Sequence, residues 1–276
     1  SSLSAMPKPG MQPWLCRDNA VLPALHRPAL RCSAARRRRL FPMNLLALDT
    51  STDTLSIAVA RSDQRWLHSG AGGAQASSHL LPAIRTLMAE AGLGFDALDA
   101  IVFGRGPGSF TGLRTACAIA QGLAFAARSG QGVPVLPVDS LLAVAEDARM
   151  QHGCTQVLAC LDARMDEVYN AAYSYNDSNG QWLAQGDMRV CPPQDVQVPA
   201  VFVVAGNAQP VYGERLAPAS SHVRAMPTAA ALLNLAHALL AQGLAVAAQD
   251  ALPLYIRDKV AQTTAEREAA KRAQQA

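Results

Sequence analysis

Charge is scarce in this chain: 16% of its 276 residues are Asp, Glu, Lys or Arg, and only 5% are aromatic. Half are hydrophobic and the mean hydropathy is +0.08, which excludes a disordered chain too polar to offset its ordering entropy. Six cysteines are present, yet no two form a Cys-x-x-Cys pair and none sits in a zinc-spaced Cys/His cluster. Cys117 and Cys160 lie in apolar runs and read as buried thiols of a reducing compartment. The six histidines, His26, His68, His79, His152, His222 and His237, include no pair four apart, so no helix offers two imidazoles on one face to a metal. No Gly-x-Ser-x-Gly elbow is present for an acyl-enzyme. No apolar run reaches transmembrane length; the nearest, 229–248, is broken by Asn234, His237 and Gln242.

The net charge of +3 hides an asymmetry. Residues 1–42 hold eight bases, four of them the run Arg36 to Arg39, against one acid, Asp18; the remainder holds 16 bases and 20 acids. Six prolines and no helical or strand period mark that leader as a non-native-looking basic segment, expected to be disordered. A targeting peptide, a nucleic-acid arm and sequence upstream of a start at Met43 compete for it, and the third fits best. The basic isoelectric point therefore says nothing about RNA binding by the folded part.

From Met43 the chain alternates strands and helices, an α/β pattern. Leu45 to Asp49 reads as a buried strand, and Leu55 to Ala60 as its hairpin partner across Thr50-Ser51-Thr52-Asp53. An apolar stripe through Leu80, Leu81, Ile84, Leu87, Met88 and Ala91 marks one helix face. The next helix, to about Arg128, is rich in small residues (Ala116, Ala118, Ala120, Gly122, Ala124). Such stripes read first as core; two neighbouring helices with small outward residues are also a candidate docking surface. The opening then repeats: Leu48-Asp49-x3-Asp53-x-Leu55 matches Leu161-Asp162-x3-Asp166-x-Val168. Two similar subdomains are expected, 43–150 and 151–258, followed by a polar tail at 259–276.

The loop from Gly104 to Arg114 joins a strand to a helix N-terminus, a place that attracts anions. It fails the standard phosphate-loop and dinucleotide patterns, having no lysine and lacking glycine where those require it. Packing glycines are the plainer reading. Asp49 and Asp162 end equivalent strands and, with Gly106 and Gly108, are the candidate nucleotide-proximal residues. Their turns carry Thr50-Ser51 and Ala163-Arg164, side chains that obstruct a phosphate.

Met43 to Ser51, the loop Gly106-Pro107-Gly108-Ser109-Phe110-Thr111-Gly112-Leu113-Arg114, Pro137 to Leu141, and Asp162-Ala163-Arg164-Met165-Asp166-Glu167-Val168-Tyr169 together resemble the TsaB family, also called YeaZ. The resemblance implies an actin-like ATPase (RNase H-like) fold in a cytoplasmic, noncatalytic protein of tRNA threonylcarbamoyladenosine formation, 3′ of the anticodon in tRNAs reading ANN codons. It implies the paralogue TsaD and the ATPase TsaE as partners, a homodimer when alone, and tRNA contact only through the complex. It implies no tightly bound cofactor, with ATP or ADP at the partner interface. The metal-holding histidines of TsaD fall at Ser140 and Val144 here, so no metal or catalytic residue is expected. By the same resemblance the partner interface uses Leu80, Leu81, Ile84, Leu87, Met88, Arg114, Cys117, Ala120, Gln121 and Ala124. An ATP-dependent small-molecule kinase of the same fold is the alternative, and a metallopeptidase a third.

Overall fold

Four consecutive apolar residues, Leu45 to Leu48, are buried on both sides, so β1 (Asn44–Asp49) is a central strand. In this computed structural model, which describes residues 43–72 and 76–257, β1 pairs antiparallel with β2 (Thr54–Arg61), which pairs antiparallel with β3 (Gln64–Ala71). On its other side β1 runs parallel to β4 (Ala100–Gly106), and β4 parallel to β5 (Val135–Asp139). The order is β3-β2-β1-β4-β5.

The second sheet repeats that plan. It is built from β6 (Gln156–Asp162), β7 (Val168–Asn176), β8 (Gln181–Ala184), β10 (Val203–Gly206) and β11 (His222–Arg224), in the order β11-β10-β6-β7-β8. A short β9 (Arg189–Cys191) adds to β7. β6 pairs antiparallel with β7 and parallel with β10, as β1 does with β2 and β4. The Leu-Asp repeat in the sequence is therefore a repeat of position: Asp49 and Asp162 close the central strands of two sheets with one topology.

Helices α1 (Ala76–Glu90) and α2 (Phe110–Ala126) cover the outer face of the first sheet, where Leu80, Ile84 and Met88 meet Leu46, Ile57 and Phe103. Pro82 falls in the second turn of α1. Two helices fill the space between the sheets. α3 (Ser140–His152) packs on the second sheet through Leu141, Val144, Ala145 and Ala148. α5 (Ala229–Ala241) packs on the first, burying Leu232, Leu233 and Ala236 against Leu45, Ala58 and Val102. Sequence order assigns α5 to the second lobe; its apolar face belongs to the first. The strap after it behaves likewise: Val246 bridges Val135, and the Ala251 carbonyl accepts from Cys117 Sγ and Gln121 Nε2 on α2.

Buried charge fixes this crossing. Glu146 is 2% exposed and accepts from both ends of the Arg149 guanidinium, from Trp182 Nε1 and from Asn234 Nδ2. Arg65 on β3 donates in turn to Asn234 Oδ1 at 2.6 Å. Asp147 accepts from Met226 N and Thr228 Oγ1, and Ala229 N donates to Ser56 Oγ. Carboxylates so buried are tolerated only with such full pairing, and here the pairing positions the start of α5. Among the described residues, no helix is long and apolar enough to cross a membrane. The basic leader 1–42 and the tail 259–276 lie outside the described residues.

Candidate functional site

The ends of β1 and β6 face a cleft of about 360 Å³ between the lobes. Its walls are the β1–β2 turn, the start of α2, the β6–β7 turn and the strap from Leu254 to Arg257. Gly108 and Asp162 line it; Asp49 and Gly106 do not.

Asp49 is 1% exposed and lies beneath Ser51. Its Oδ1 accepts from Ser51 N (2.8 Å) and Ser51 Oγ (2.7 Å), and its Oδ2 from Ser140 Oγ at 3.4 Å. Burial lifts its pKa to about 6, against the lowering effect of those hydrogen bonds. The ordinary value is 3.8. Between the two, the folded state holds a proton that the unfolded chain has lost, so stability falls as pH rises through this window and is level above it. The fall is about 3 kcal/mol. Asp49→Asn has no such proton to lose. Urea unfolding at about pH 4.5 and about pH 7.5 should move the variant's stability relative to wild type upward by about 2 kcal/mol. An equal gap at both pH values would show that Asp49 is already ionised in the fold at about pH 4.5, so that burial does not raise its pKa.

The glycine-rich loop is packed, not open. A Cβ on Gly108 would lie 2.3 Å from Ser51 O, and one on Gly104 1.7 Å from Asp49 Oδ2. Ser109 N donates to Ser51 O, and Ser109 Oγ caps α2 by accepting from Gly112 N. The loop glycines thus let α2 approach the β1–β2 turn.

Asp162 is bound in the same manner as Asp49. Its Oδ1 accepts from Arg164 N (2.8 Å) and Tyr212 OH (2.7 Å), and the Arg164 guanidinium lies 3.0 Å from Oδ2. Burial first, and this donation second, push the Tyr212 hydroxyl well above its ordinary range. The turn beyond holds three successive non-glycine residues at positive φ, Arg164, Met165 and Asp166. Such backbone persists where its surroundings over-determine it. Here Arg215 forks onto Asp166 (2.8 and 2.6 Å), holding that carboxyl below its usual range, and Arg257 donates to Ala163 O, Arg164 O and Glu167. Arg257 and Tyr255, which accepts from Arg114 Nε beside Phe110, carry no local motif and were not legible in the sequence.

Among the described residues, no three His, Cys, Asp or Glu side chains gather as a metal site. Ser140 and Val144 are fully buried.

Most of the residues expected at the partner interface lie inside the fold. Leu80, Ile84, Leu87 and Met88 are 0–4% exposed, and Cys117, Ala120 and Ala124 are 0–5% exposed. They face their own sheet, because seven inward apolar side chains bury more area there than any outward face could. Leu81 and Arg114 stay exposed, and Gln121 is half-buried on the strap. The outward face instead presents Leu81 and Arg85 on α1, and Ala118, Gly122 and Phe125 on α2, the last 72% exposed.

The family profile described as "TsaD: tRNA N6-adenosine threonylcarbamoyltransferase" matches residues 62–265. The tRNA threonylcarbamoyladenosine biosynthesis protein TsaB of Escherichia coli is 32% identical over 79% of this chain and 96% of its own length. That of Haemophilus influenzae is 34% identical over 79% and 95%. The solved YeaZ from Pseudomonas aeruginosa superposes with a TM-score of 0.71 at 40% identity, covering 78% of this chain and all of that one. A second structure from that organism, an uncharacterized protein with similarity to peptidase YEAZ, matches equally well, with a TM-score of 0.70. Two lobes of one topology around a cleft define the class, an actin-like fold of the ATPase type. Within that class, the chain belongs to the TsaB family, also called YeaZ.

Proposed function

We propose that this chain serves the formation of threonylcarbamoyladenosine in tRNA as a noncatalytic, cytoplasmic partner of the transferase TsaD. The modified base is the adenosine 3′ of the anticodon in tRNAs reading ANN codons. Family membership supports the pathway; the observation that supports a noncatalytic role is the state of the cleft. Asp49 and Asp162 accept from the chain's own donors, and the space beside Gly108 and Gly112 is occupied by Ser51 and Thr50. A kinase needs a general base together with open phosphate turns; Asp53 is exposed at the cleft, but the turn beside the glycine loop is filled by Thr50 and Ser51.

The contribution is then conformational: contacts made better to the competent state of TsaD shift its population. The outward face of α1 and α2, centred on Gly122 and Phe125, is the docking surface, used for self-association when the chain is alone. TsaE joins the pair, tRNA is touched only within the complex, and ATP or ADP lodges at the partner interface rather than tightly in this chain. In a mixture of TsaD, TsaE, tRNA, ATP and the threonylcarbamoyl-adenylate donor, omitting this chain should lower modified adenosine by roughly tenfold or more. Full modification without it would overturn the partner role. Phosphate release from ATP by the isolated chain with Mg²⁺ would favour the kinase instead.

A further inference from the structure

A cleft between two lobes opens and closes when a few residues at the crossings absorb changes of φ and ψ. Here the described backbone passes between the lobes at the β5–α3 junction, ahead of α5 and along the strap, and each passage is held on both sides. At the first, Arg105 Nε donates to Asp139 Oδ1 at 2.6 Å and Ser140 Oγ to Asp49 Oδ2 at 3.4 Å, while the next residue, Leu141, is packed in the second-lobe core. At the second, Met226 N (2.9 Å) and Thr228 Oγ1 (3.0 Å) donate to Asp147 on α3, and Ala229 N donates to Ser56 Oγ on β2 at 2.9 Å. At the third, Leu254 N donates to Arg105 O at 2.7 Å, and Arg257 Nη2 donates to Ala163 O at 3.1 Å on the far side. The anchors stand so close in sequence that no passage holds a span free to turn.

Side chains add a tie away from the backbone. The Asn234 amide on α5 sits between the lobes: its Oδ1 accepts from Arg65 Nη1 on β3 (2.6 Å) and its Nδ2 donates to Glu146 Oε1 on α3 (3.1 Å). Those two bonds fix which end of the amide is nitrogen. Glu146 is buried and also accepts from Trp182 Nε1 on β8, so the edge strands of the two sheets are joined through a chain of side chains. Trp182 and Leu142 each pack against both the core under α5 and the core under α3. Rotation of one lobe against the other would part these groups and strip donors from the buried Glu146 and Asp147 carboxylates, which is costly.

We infer that α5, the strap and the Asn234 bridge clamp the two lobes into one rigid body, so that the cleft keeps its width instead of closing on a ligand. The first sheet buries a helix that follows the second lobe in sequence, and Trp182 of the second sheet helps cover that helix. Neither lobe can lose its cover alone, and the two open only together.

Native-state hydrogen exchange of the full chain, read amide by amide by NMR at rising guanidinium concentrations below the unfolding transition, tests the clamp. The probes are the Met226, Ala229 and Leu254 amides at the passages, with Leu48 and Ala159 in the two central strands. All should converge on one opening with one denaturant dependence, as members of a single cooperative unit. Asn234→Leu, of similar volume but unable to bridge, should speed exchange at Leu48 and Ala159 alike by roughly tenfold, the order of one net hydrogen bond. Passage amides that exchange through an opening of their own, shallow in denaturant, while both sheets stay protected would reveal a hinge and overturn the inference. Acceleration confined to one sheet in Asn234→Leu would overturn it too; if that variant does not fold, the wild-type profile decides alone.

Discussion

Ile84→Glu is expected to abolish folding of the chain. Ile84 is 0% exposed, in one cluster with Leu80, Leu87, Met88, Ile57 and Phe103. A carboxylate there has no donor within the apolar cluster and displaces a fully packed side chain. The combined cost is at least about 4 kcal/mol, a large part of what holds a domain of this size together. Circular dichroism and thermal unfolding of the purified variant should show no cooperative transition at ambient temperature. Loss of partner binding in this variant would therefore carry no information about docking. Gly122→Glu separates the two effects: a Cβ there has nothing within 4 Å, so the variant folds and gains helix propensity. A soluble Ile84→Glu protein melting at the wild-type temperature would show that α1 does not pack on its sheet through this face.

Within α2, two glycine-to-alanine changes are expected to have opposite signs. A Cβ on Gly112 would sit 1.8 Å from the Thr50 carbonyl oxygen, a backbone atom of a fully buried residue. Thr50 Oγ1 in turn donates to Gly112 O at 2.7 Å, and Ser109 N to Ser51 O at 2.7 Å. Neither side can retreat without breaking these bonds, so Gly112→Ala should cost about 3 kcal/mol or more. Gly122→Ala meets nothing and should stabilise by up to about 1 kcal/mol through helix propensity. Denaturant midpoints of the two variants check both signs. An unchanged midpoint for Gly112→Ala would mean that the loop stands clear of the β1–β2 turn, and the phosphate-loop reading would return.

The parts of the fold that the sequence makes legible are those with an unbroken local pattern. Leu45 to Leu48 can only be a strand buried on both faces, and the Leu-Asp repeat exposes the duplication because a turn aspartate is needed at the same place twice. The strands β8, β10 and β11 are three or four residues long, too short for alternation to register. Periodicity also shows that 229–241 is a helix without showing which sheet it meets; the bonds of Asp147 and Ser56 decide that, across more than 70 residues of sequence. The α1 stripe is similar: spacing puts Leu80, Ile84, Leu87 and Met88 on one face, and only the fold turns that face inward. Of the cleft, Gly108 and Asp162 were visible. Arg257, which secures the strained turn, was not, because its partners lie 90 to 94 residues away.

Docking through the outward face of α1 and α2, rather than chemistry in its cleft, is the action proposed for this chain. The most direct test compares wild type with Gly122→Glu, both shown to melt cooperatively, in the reconstituted modification reaction. A charge at the centre of the surface should reduce binding to TsaD and the yield of threonylcarbamoyladenosine by roughly tenfold or more. Full yield and unchanged binding with Gly122→Glu would contradict it.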